Sequence, residues 1–492
     1  MADKELAFLN DIKLEPNKAS AGTRFLTMLG LYIFVNGLFI IFVIVLFLTE
    51  TSKERNPSFY LALLFSICTS PLLFVREANG RYCILLICCP VFFVFYGLND
   101  ILNYFIRIPS YSFNTAQGLL SKGEVAILLG LSAWLIGYLI ASNAFNNLNL
   151  KIFIRDWKTN NLISIGLFFI VIGLYSIWVF QTSSYGGRSM ITDSNIASLV
   201  ILGRMLEPVG AVMLSYAYLK TQKNIIFFLL ATIAMIKLPL GIILDSKEIG
   251  ISFIAIFILS KWLHDGKVPL RWIVVATVLV TFYFPISYAY RETLGSRQLS
   301  VSKSLDRAQE FMGMALDEKK SLKSVLDRIS SFTGRSDLKN LIEIIVTRVG
   351  NDVPYQNGNT LVQLPYFLIP RFLIDKPSVS VGQLFNRQFK ISANPDTHIS
   401  TSFLGELYWN FSWIGLIIGM LVVGMSMGLI GRIFNIKQNK SVARLLTLVS
   451  AIYLLGLRFE TGLAQQYILF FRSFIIIVIM NYAFCDRRKY FY

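Results

Sequence analysis

Two runs late in the chain contain most of the chemically capable side chains that lie outside apolar segments. The run IPRFLIDKP contributes Arg371 and Lys376, and the run PDTHISTSFLGELYWNF contributes His398, Glu406 and Tyr408. Arginine and lysine bind anionic oxygens, whereas histidine and carboxylates exchange protons near neutral pH. The two runs therefore predict a site that binds an anion and transfers a proton.

Several of these residues also have a structural interpretation, which the sequence leaves open. His398 is the preferred general base, with Glu406 and Asp396 as alternatives, but a lone histidine is as often a hydrogen-bonded structural residue. Glu406 precedes an apolar segment and could instead pair with an arginine at a membrane interface. Tyr408 could be an interface anchor rather than a platform for a sugar.

The elements that must position these side chains are membrane helices. Of 492 residues, 55% are hydrophobic and 15% are charged, which leaves too little polar material to coat a soluble globule of this size. The composition and the apolar runs predict an all-α polytopic membrane protein with about twelve transmembrane helices. These helices are predicted at 25–48, 59–75, 82–98, 124–140, 162–180, 196–219, 225–244, 249–263, 270–290, 413–434, 443–457 and 464–484.

One long hydrophilic segment, 291–408, interrupts the apolar runs. Apolar residues recur there at helical spacing in 322–329 and in 338–349, which predicts two helices within the loop, the second capped by Ser336 or Asp337. Arg335 would then lie beside a helix N-terminus, a position that favours anions. The predicted division of the chain is a tail at 1–24, nine spans within 25–290, the loop at 291–408, three spans within 409–484 and a tail at 485–492.

Lysine and arginine are distributed unevenly between the spans. If the N-terminus is cytoplasmic, the inside segments contain about three times as many of them as the short outside loops. This bias predicts cytoplasmic N and C termini and an exported long loop. The net charge of +17 is then mostly a feature of topology and of contact with membrane lipids, so no nucleic-acid partner is expected.

Charged residues within or beside the apolar runs indicate a polar cavity near the exported side. Arg204 and Glu207 are three residues apart on one helix face, so they are expected to pair with each other or to face such a cavity. Lys247 and Arg458 are candidate phosphate ligands, although charges in short loops are usually solvated. Other charges near the same side are Lys237, Asp245, Glu248 and Glu460.

The remaining sequence signals are negative. The five cysteines lie in or at the ends of apolar runs, and their spacing indicates no zinc site. The chain has no phosphate-binding P-loop and no dinucleotide fingerprint. We therefore expect no cofactor and no bound metal.

Four motifs, GRSDL, YQNGNTL, IPRFLIDKP and LGELYWNF, together with many spans and one large late loop, resemble the Wzy-type polymerases of O-antigen and other oligosaccharide repeat units. Arg371 is followed after ten residues by Gly382, which is similar to an arginine-x10-glycine pattern in exported loops of that family. Arg188, in an outside segment, departs from the pattern because position 199 is Leu199. Arg371 could instead pair with Asp375 to shape a turn.

The resemblance implies a glycosyltransferase of GT-C-like architecture in the bacterial inner membrane. Such an enzyme joins undecaprenyl-pyrophosphate-linked oligosaccharides, its donor and its acceptor, at the periplasmic face, and a membrane protein that regulates chain length is a possible partner. Guanidinium groups suit a pyrophosphate leaving group. No Asp-x-Asp motif occurs in an exported segment, which agrees with a metal-independent reaction. The implied pyrophosphate and glycan ligands are Arg188, Arg291, Arg297, Arg335, Arg371, Lys376, Lys247, Arg458 and Tyr408.

Two other functions fit the same sequence. An O-antigen ligase shares the span count, the late loop and the donor, but transfers the glycan to lipid A core. A lipid-linked oligosaccharide flippase would also have about twelve spans with buried cations. A flippase does not need a long exported loop that contains helices, so it ranks below the two transferases.

Overall fold

The described part of the chain is built from α-helices. A computed structural model of the protein describes residues 21–49, 58–73, 82–101, 120–144, 153, 157–186, 195–243, 246–294, 338–368, 381–392, 395, 398–437 and 440–484. The first helices are α1 (Ala21–Thr49), α2 (Ser58–Thr69), α3 (Cys83–Tyr96), α4 (Lys122–Ala144), α5 (Thr159–Gly186), α6 (Asn195–Thr221), α7 (Asn224–Ile243), α8 (Lys247–Asp265) and α9 (Leu270–Leu294). They are followed by α10 (Leu338–Arg348), α11 (Asn359–Leu368), α12 (Val381–Phe389), α13 (Phe403–Ile433), α14 (Val442–Ala451) and α15 (Leu463–Phe484).

In the part of the chain that the structure describes, helices occupy the apolar runs that the sequence singles out. Within the described residues, five helical segments are long and apolar enough to cross a membrane: α4, the Thr159–Val179 part of α5, α7, α13 and α15. Parts of α1, α2, α3, α9 and α14 are apolar but shorter, and α6 and α8 contain charged residues. The prediction of an all-α membrane protein is confirmed at this level.

Helices α4 and α13 lie against each other with their backbones in close approach. A Cβ added at Gly137 would meet the Leu421 carbonyl, and one added at Gly424 would meet the Trp134 carbonyl, in both cases at less than 3.0 Å. Only glycine allows this separation, which maximises dispersion contacts between two apolar helices. This contact bears on the position of the loop, because α13 follows the loop in the chain.

The loop meets the bundle at one end, which we call the loop end. Lys339 of α10 contacts Asp100, with Nζ 2.6 Å from Oδ2, and the Glu343 carboxylate accepts a hydrogen bond from the Gly123 N–H at 2.7 Å. Helix α10 thus lies on the N-terminus of α4. Ser121 and Glu124 form a capping box at that same terminus, each side chain accepting from the other's backbone N–H.

The opposite end of the bundle has its own set of contacts. The Tyr216 hydroxyl donates to the Lys440 carbonyl at 2.8 Å, and the Trp157 indole N–H donates to the Asn481 side chain at 3.1 Å. The Ser441 hydroxyl donates to the Phe153 carbonyl. Segments that the charge pattern assigns to one side of the membrane therefore meet at one end, and segments assigned to the other side meet at the other.

The predicted second helix of the loop is confirmed as α10, whose buried residues include Leu338, Ile342 and Ile345. A turn follows it, in which Gly350 and Gly358 adopt positive φ values of 88° and 89°. Glycine tolerates this left-handed conformation without a Cβ clash. The predicted helix at 322–329 and the predicted caps Ser336 and Asp337 lie outside the described residues.

A helix begins upstream of the predicted span at 413–434. Helix α13 begins at Phe403 because Ser402 caps it by accepting a hydrogen bond from the Gly405 N–H at 3.1 Å. The helix is interrupted at Phe411 and Ser412, where Ser412 has a φ of 58°. The LGELYWN run therefore forms a short helical segment on the loop side of this break, rather than an irregular approach to the span.

Candidate functional site

A cavity of about 290 Å3 lies among α5, α6, α8, α14 and α15. The segment Ile452–Leu457, which continues α14, lines part of it and has π-helical hydrogen bonding. One such bond runs from the Arg458 N–H to the Tyr453 carbonyl at 3.2 Å. Single π-helical turns occur frequently at functional sites. The charged residues of the lining are Arg204, Glu207, Glu248 and Arg458.

Glu207 forms an intramembrane ion pair, but its partner is not the neighbour on its own helix. The Lys237 ammonium of α7 lies 2.5 Å from Glu207 Oε1 and also donates to the Ser252 hydroxyl at 2.9 Å. Both charged residues are buried, Lys237 completely. The ion pair described for Glu207 is therefore a contact between helices, whereas i,i+3 spacing suggested a pair within α6. The alternative, that Arg204 and Glu207 face a polar cavity, is confirmed.

A second charged group forms the mouth of the cavity at the loop end. Arg458 Nη2 lies 3.0 Å from Glu248 Oε2, and the Tyr453 hydroxyl donates to Glu248 Oε1 at 2.9 Å. The side chains of Arg458 and Glu248 are 23% and 45% exposed, so this group is accessible from outside the bundle. Arg458 thus lies where a phosphate ligand would be useful, and it is held by a carboxylate rather than simply solvated.

His398 lies on the loop beside α12. Its ring is so close to Gly382 that a Cβ added there would clash with it, and the Ile399 N–H donates to the Gly382 carbonyl at 3.3 Å. His398 is exposed, and partial desolvation of its ring lowers its pKa below the ordinary value. The imidazole is therefore neutral at pH 7 and able to accept a proton. Gly382 is the glycine of the arginine-x10-glycine pattern, and here its lack of a side chain seats the histidine.

Glu406 occupies a structural position. Its side chain is fully buried, and Oε2 accepts a hydrogen bond of 2.6 Å from the Leu463 N–H at the start of α15. A carboxylate at a helix N-terminus satisfies backbone donors and complements the helix dipole. No described contact pairs it with an arginine. The catalytic assignment of Glu406 stays a prediction, but its position favours a structural role.

The neighbouring residues of α13 fasten the loop to the bundle. The Asn410 side chain accepts from the Gly358 N–H at 2.9 Å and donates to the Thr360 hydroxyl at 2.7 Å. Trp409 is buried among Phe385 and Phe389 of α12, with ring centroids 5.5 and 5.6 Å away. These contacts fix α11 and α12 relative to α13.

The other predicted ligands differ in how far the structure places them. Tyr408 is buried, and its ring lies 5.3 Å from that of Trp413, at a right angle to it. Lys247 begins α8 and Arg291 lies in the last turns of α9, but their side chains are not among those described. The predicted ligands that lie outside the described residues are Arg188, Arg297, Arg335, Arg371 and Lys376.

The sequence placed Glu207 and Lys237 among the charges that could line a polar cavity, but it did not predict that they contact each other or that Ser252 joins them. A charge inside an apolar run was the available signal, since both Glu207 and Lys237 interrupt helices that are otherwise apolar. Spacing along the chain could not reveal that they meet, because 30 residues separate them. Tyr453 lies in a short predicted span and has no charge, so nothing in the sequence indicated that it contributes to the cavity.

Comparison with protein-family models, with curated protein sequences and with solved structures finds no match to this chain. Among the described residues, no group of three or more His, Cys, Asp or Glu side chains could hold a metal ion. The function is therefore argued from the cavity, from the loop and from the motifs of the sequence.

Proposed function

We propose that this protein is a membrane glycosyltransferase that polymerises undecaprenyl-pyrophosphate-linked oligosaccharide repeat units into a surface polysaccharide. The observation that supports this most directly is the cavity, because its mouth holds a guanidinium and opens at the same end as the loop. A lipid pyrophosphate needs cations near the membrane surface, while a glycan needs a folded surface outside it. Both are available at the loop end.

In the proposed reaction, a hydroxyl oxygen of the acceptor glycan attacks the anomeric carbon of the donor. The bond from that carbon to the phosphate oxygen breaks, and undecaprenyl pyrophosphate leaves with the bonding electrons. Arg458 and Arg204 stabilise the negative charge of the leaving group, together with Arg371 of the loop. His398 accepts the proton of the attacking hydroxyl, for which its neutral state at pH 7 is suited.

The finer features of the architecture belong to the same proposal. They are twelve spans, a GT-C-like arrangement, an inner-membrane location with both termini cytoplasmic, and a possible chain-length regulator as partner. A reporter that is active only outside the cytoplasm should be active when fused near Gly358 and silent when fused near Lys437. The reverse pattern would move the loop, and with it the proposed chemistry, to the cytoplasmic side.

Deletion of the protein tests the proposal against its alternatives. Loss of a polymerase leaves surface glycan of single-repeat length, because units are still exported and attached but are not joined. Loss of a ligase instead leaves long polymer on its lipid carrier, and loss of a flippase leaves no exported units. Either of the last two outcomes, in a strain with the other steps intact, would reject polymerisation.

Point variants test the proposed role of Arg371 in the loop. Arg371→Ala should abolish long chains, and Arg371→Lys should be strongly impaired because an ammonium lacks the bidentate geometry of a guanidinium. Protein abundance measured in parallel separates this effect from a structural turn with Asp375. Equal loss of abundance in Arg371→Ala, Arg371→Lys and Asp375→Ala would favour the turn.

A further inference from the structure

Glu248 joins two side chains at the mouth of the cavity. Its Oε1 accepts a hydrogen bond from the Tyr453 hydroxyl at 2.9 Å, and its Oε2 lies 3.0 Å from Arg458 Nη2. Glu248 belongs to α8, whereas Tyr453 lies in the π-helical segment after α14 and Arg458 ends that segment. The carboxylate therefore occupies, on this guanidinium, a position of the kind that a phosphate oxygen would take.

The π-helical turn explains why one carboxylate meets both residues. In a regular α-helix, residues five apart point about 140° away from each other. The bond from the Arg458 N–H to the Tyr453 carbonyl spans five residues, so Arg458 lies nearly over Tyr453 on one side of the helix. Both residues and Glu248 line the cavity. The turn thus presents a hydroxyl and a guanidinium together to a carboxylate of another helix.

The charged side chains that the structure describes around the mouth balance each other. Glu460 interacts electrostatically with Arg458 and Glu248, and Arg204 interacts with the same two residues. Two arginines and two carboxylates leave no excess positive charge in this group to attract an anion. Behind the mouth, one further cation and one further carboxylate form the buried pair of Lys237 and Glu207. An anion that binds Arg458 must therefore compete with a carboxylate that is already there.

Glu248 is suited to be the carboxylate that leaves. Its side chain is 45% exposed and that of Arg458 is 23% exposed, and ion pairs that reach solvent contribute little stability. A bidentate bond from a guanidinium to a phosphate is stronger than an exposed pair of this kind. Glu248 also lies in the first turn of α8, where the helix dipole stabilises a carboxylate that has lost its partner. Its release does not leave an unpaired charge buried.

We propose that Glu248 is a gate on the anion site at Arg458: it occupies the guanidinium until the pyrophosphate of a lipid-linked substrate displaces it, and Tyr453 holds it there. This inference rests on the proposed function in taking a lipid pyrophosphate as the ligand. A gate and a structural bracket differ in the sign of their effect. If Glu248 only positioned Arg458 for the phosphate, its loss would weaken binding, whereas loss of a gate strengthens binding.

The experiment measures binding to the purified full-length chain in lipid nanodiscs. The probes are geranylgeranyl pyrophosphate, inorganic pyrophosphate and the uncharged geranylgeraniol, which separate the contributions of the phosphates and of the prenyl chain. The variants are Glu248→Asp and Tyr453→Phe, which keep every charge, and Glu248→Gln, which removes one. Asp265→Asn is the matched control, since it breaks an ion pair of 2.8 Å with Lys261 at the opposite end. Thermal unfolding is recorded for each preparation.

Both variants that keep the charge should bind the two pyrophosphates about two- to fivefold more tightly, the range that an exposed ion pair contributes. Aspartate is too short to bridge Tyr453 and Arg458, and Tyr453→Phe removes the hydroxyl that holds Glu248. Glu248→Gln should gain at least as much, because it also removes a negative charge. Binding of geranylgeraniol, and of all probes to Asp265→Asn, should not change. Unchanged or weaker binding by Glu248→Asp and Tyr453→Phe would overturn the gate. If one of these two does not fold, the other decides the question.

The Arg458→Gln background shows whether the gain depends on the guanidinium. Glu248→Asp has no guanidinium to release in that background, so it should leave pyrophosphate affinity unchanged. An equal gain in both backgrounds would overturn the gate, because the effect would then not pass through Arg458.

This test is independent of chain growth. If the variants bind as expected, the gate stands even if deletion of the protein leaves polymerisation intact. If deletion abolishes polymerisation but the variants that keep the charge bind no more tightly, the gate falls while the proposed function stands. A wild-type protein that binds neither pyrophosphate probe would also overturn the inference.

Discussion

Two helix contacts in this protein use apolar helices in opposite ways. Between α4 and α13, glycines such as Gly137 and Gly424 bring the backbones together and leave no space. Among α6, α8 and α15, side chains such as Arg204 and Glu248 line a cavity of about 290 Å3. The facing residues of each pair of helices thus decide whether the contact is a rigid support or a polar site.

The two regions therefore have different roles in the protein. The close contact carries α13, which begins in the loop and whose Glu406 and Asn410 hold α15 and the turn at Gly358. The contact between α4 and α13 therefore fixes the position of the loop relative to the bundle. The cavity keeps charged groups at partial exposure, which costs stability but allows an anion to bind. Changes in the first region should reduce stability, and changes in the second should alter binding.

The largest effect is expected from filling the close contact. Gly424→Leu should prevent accumulation of folded protein, because a side chain would need space occupied by the Trp134 carbonyl and the backbones would have to separate. Gly30→Leu is the control, since a Cβ at Gly30 meets nothing within 4 Å. Membrane abundance and thermal unfolding in detergent measure the difference. Equal stability of the two variants would show that this contact is not a rigid support.

Glu406 gives the next largest effect. Glu406→Ala removes a buried acceptor from the first turn of α15, which should cost roughly 1–3 kcal/mol of stability. Glu406→Gln keeps an acceptor oxygen and should cost less. Thermal unfolding and chain-length distribution, measured together, separate the two roles of this residue. A fully stable Glu406→Gln protein that makes no polymer would restore the catalytic assignment.

A change at the cavity mouth should leave stability nearly intact. Arg458→Gln removes the guanidinium and leaves Glu248 without its ion-pair partner, so affinity for geranylgeranyl pyrophosphate should fall about tenfold while thermal unfolding changes little. Arg271→Gln, an exposed arginine at the opposite end, is the control. Unchanged affinity in Arg458→Gln would remove the mouth from the proposed site.

The smallest expected effect is the pH dependence of chain growth, which involves His398 of the loop. Because desolvation lowers the pKa of His398, its imidazole stays neutral down to a pH below the ordinary histidine value of about 6.5. Chain growth should therefore decline only as the pH falls through that lowered pKa, by a few-fold over the first unit. The residual chain growth of His398→Asn should lack this acid limb, and Gly382→Ala should shift the limb by displacing the ring. An identical pH profile in His398→Asn would exclude His398 as the base.

Much of the helical framework could be predicted from sequence. Continuous apolar runs fixed where helices form, and the spacing of Leu338, Ile342 and Ile345 fixed the face that α10 buries. Intramembrane charges also indicated a polar cavity near the loop end. These features follow from local composition and periodicity, because a helix forms its backbone hydrogen bonds within one segment.

The partners of the charged groups were decided only by the tertiary structure. Spacing along α6 favoured pairing of Glu207 with Arg204, but packing of α7 against α6 brings Lys237 to that carboxylate instead. Glu406 caps a helix that begins 57 residues later in the chain. A buried carboxylate can form an ion pair, cap a helix or remain available for chemistry. Which of these occurs depends on the hydrogen-bond donors that lie beside it in the folded protein. That is a property of how the helices pack, which no single segment determines.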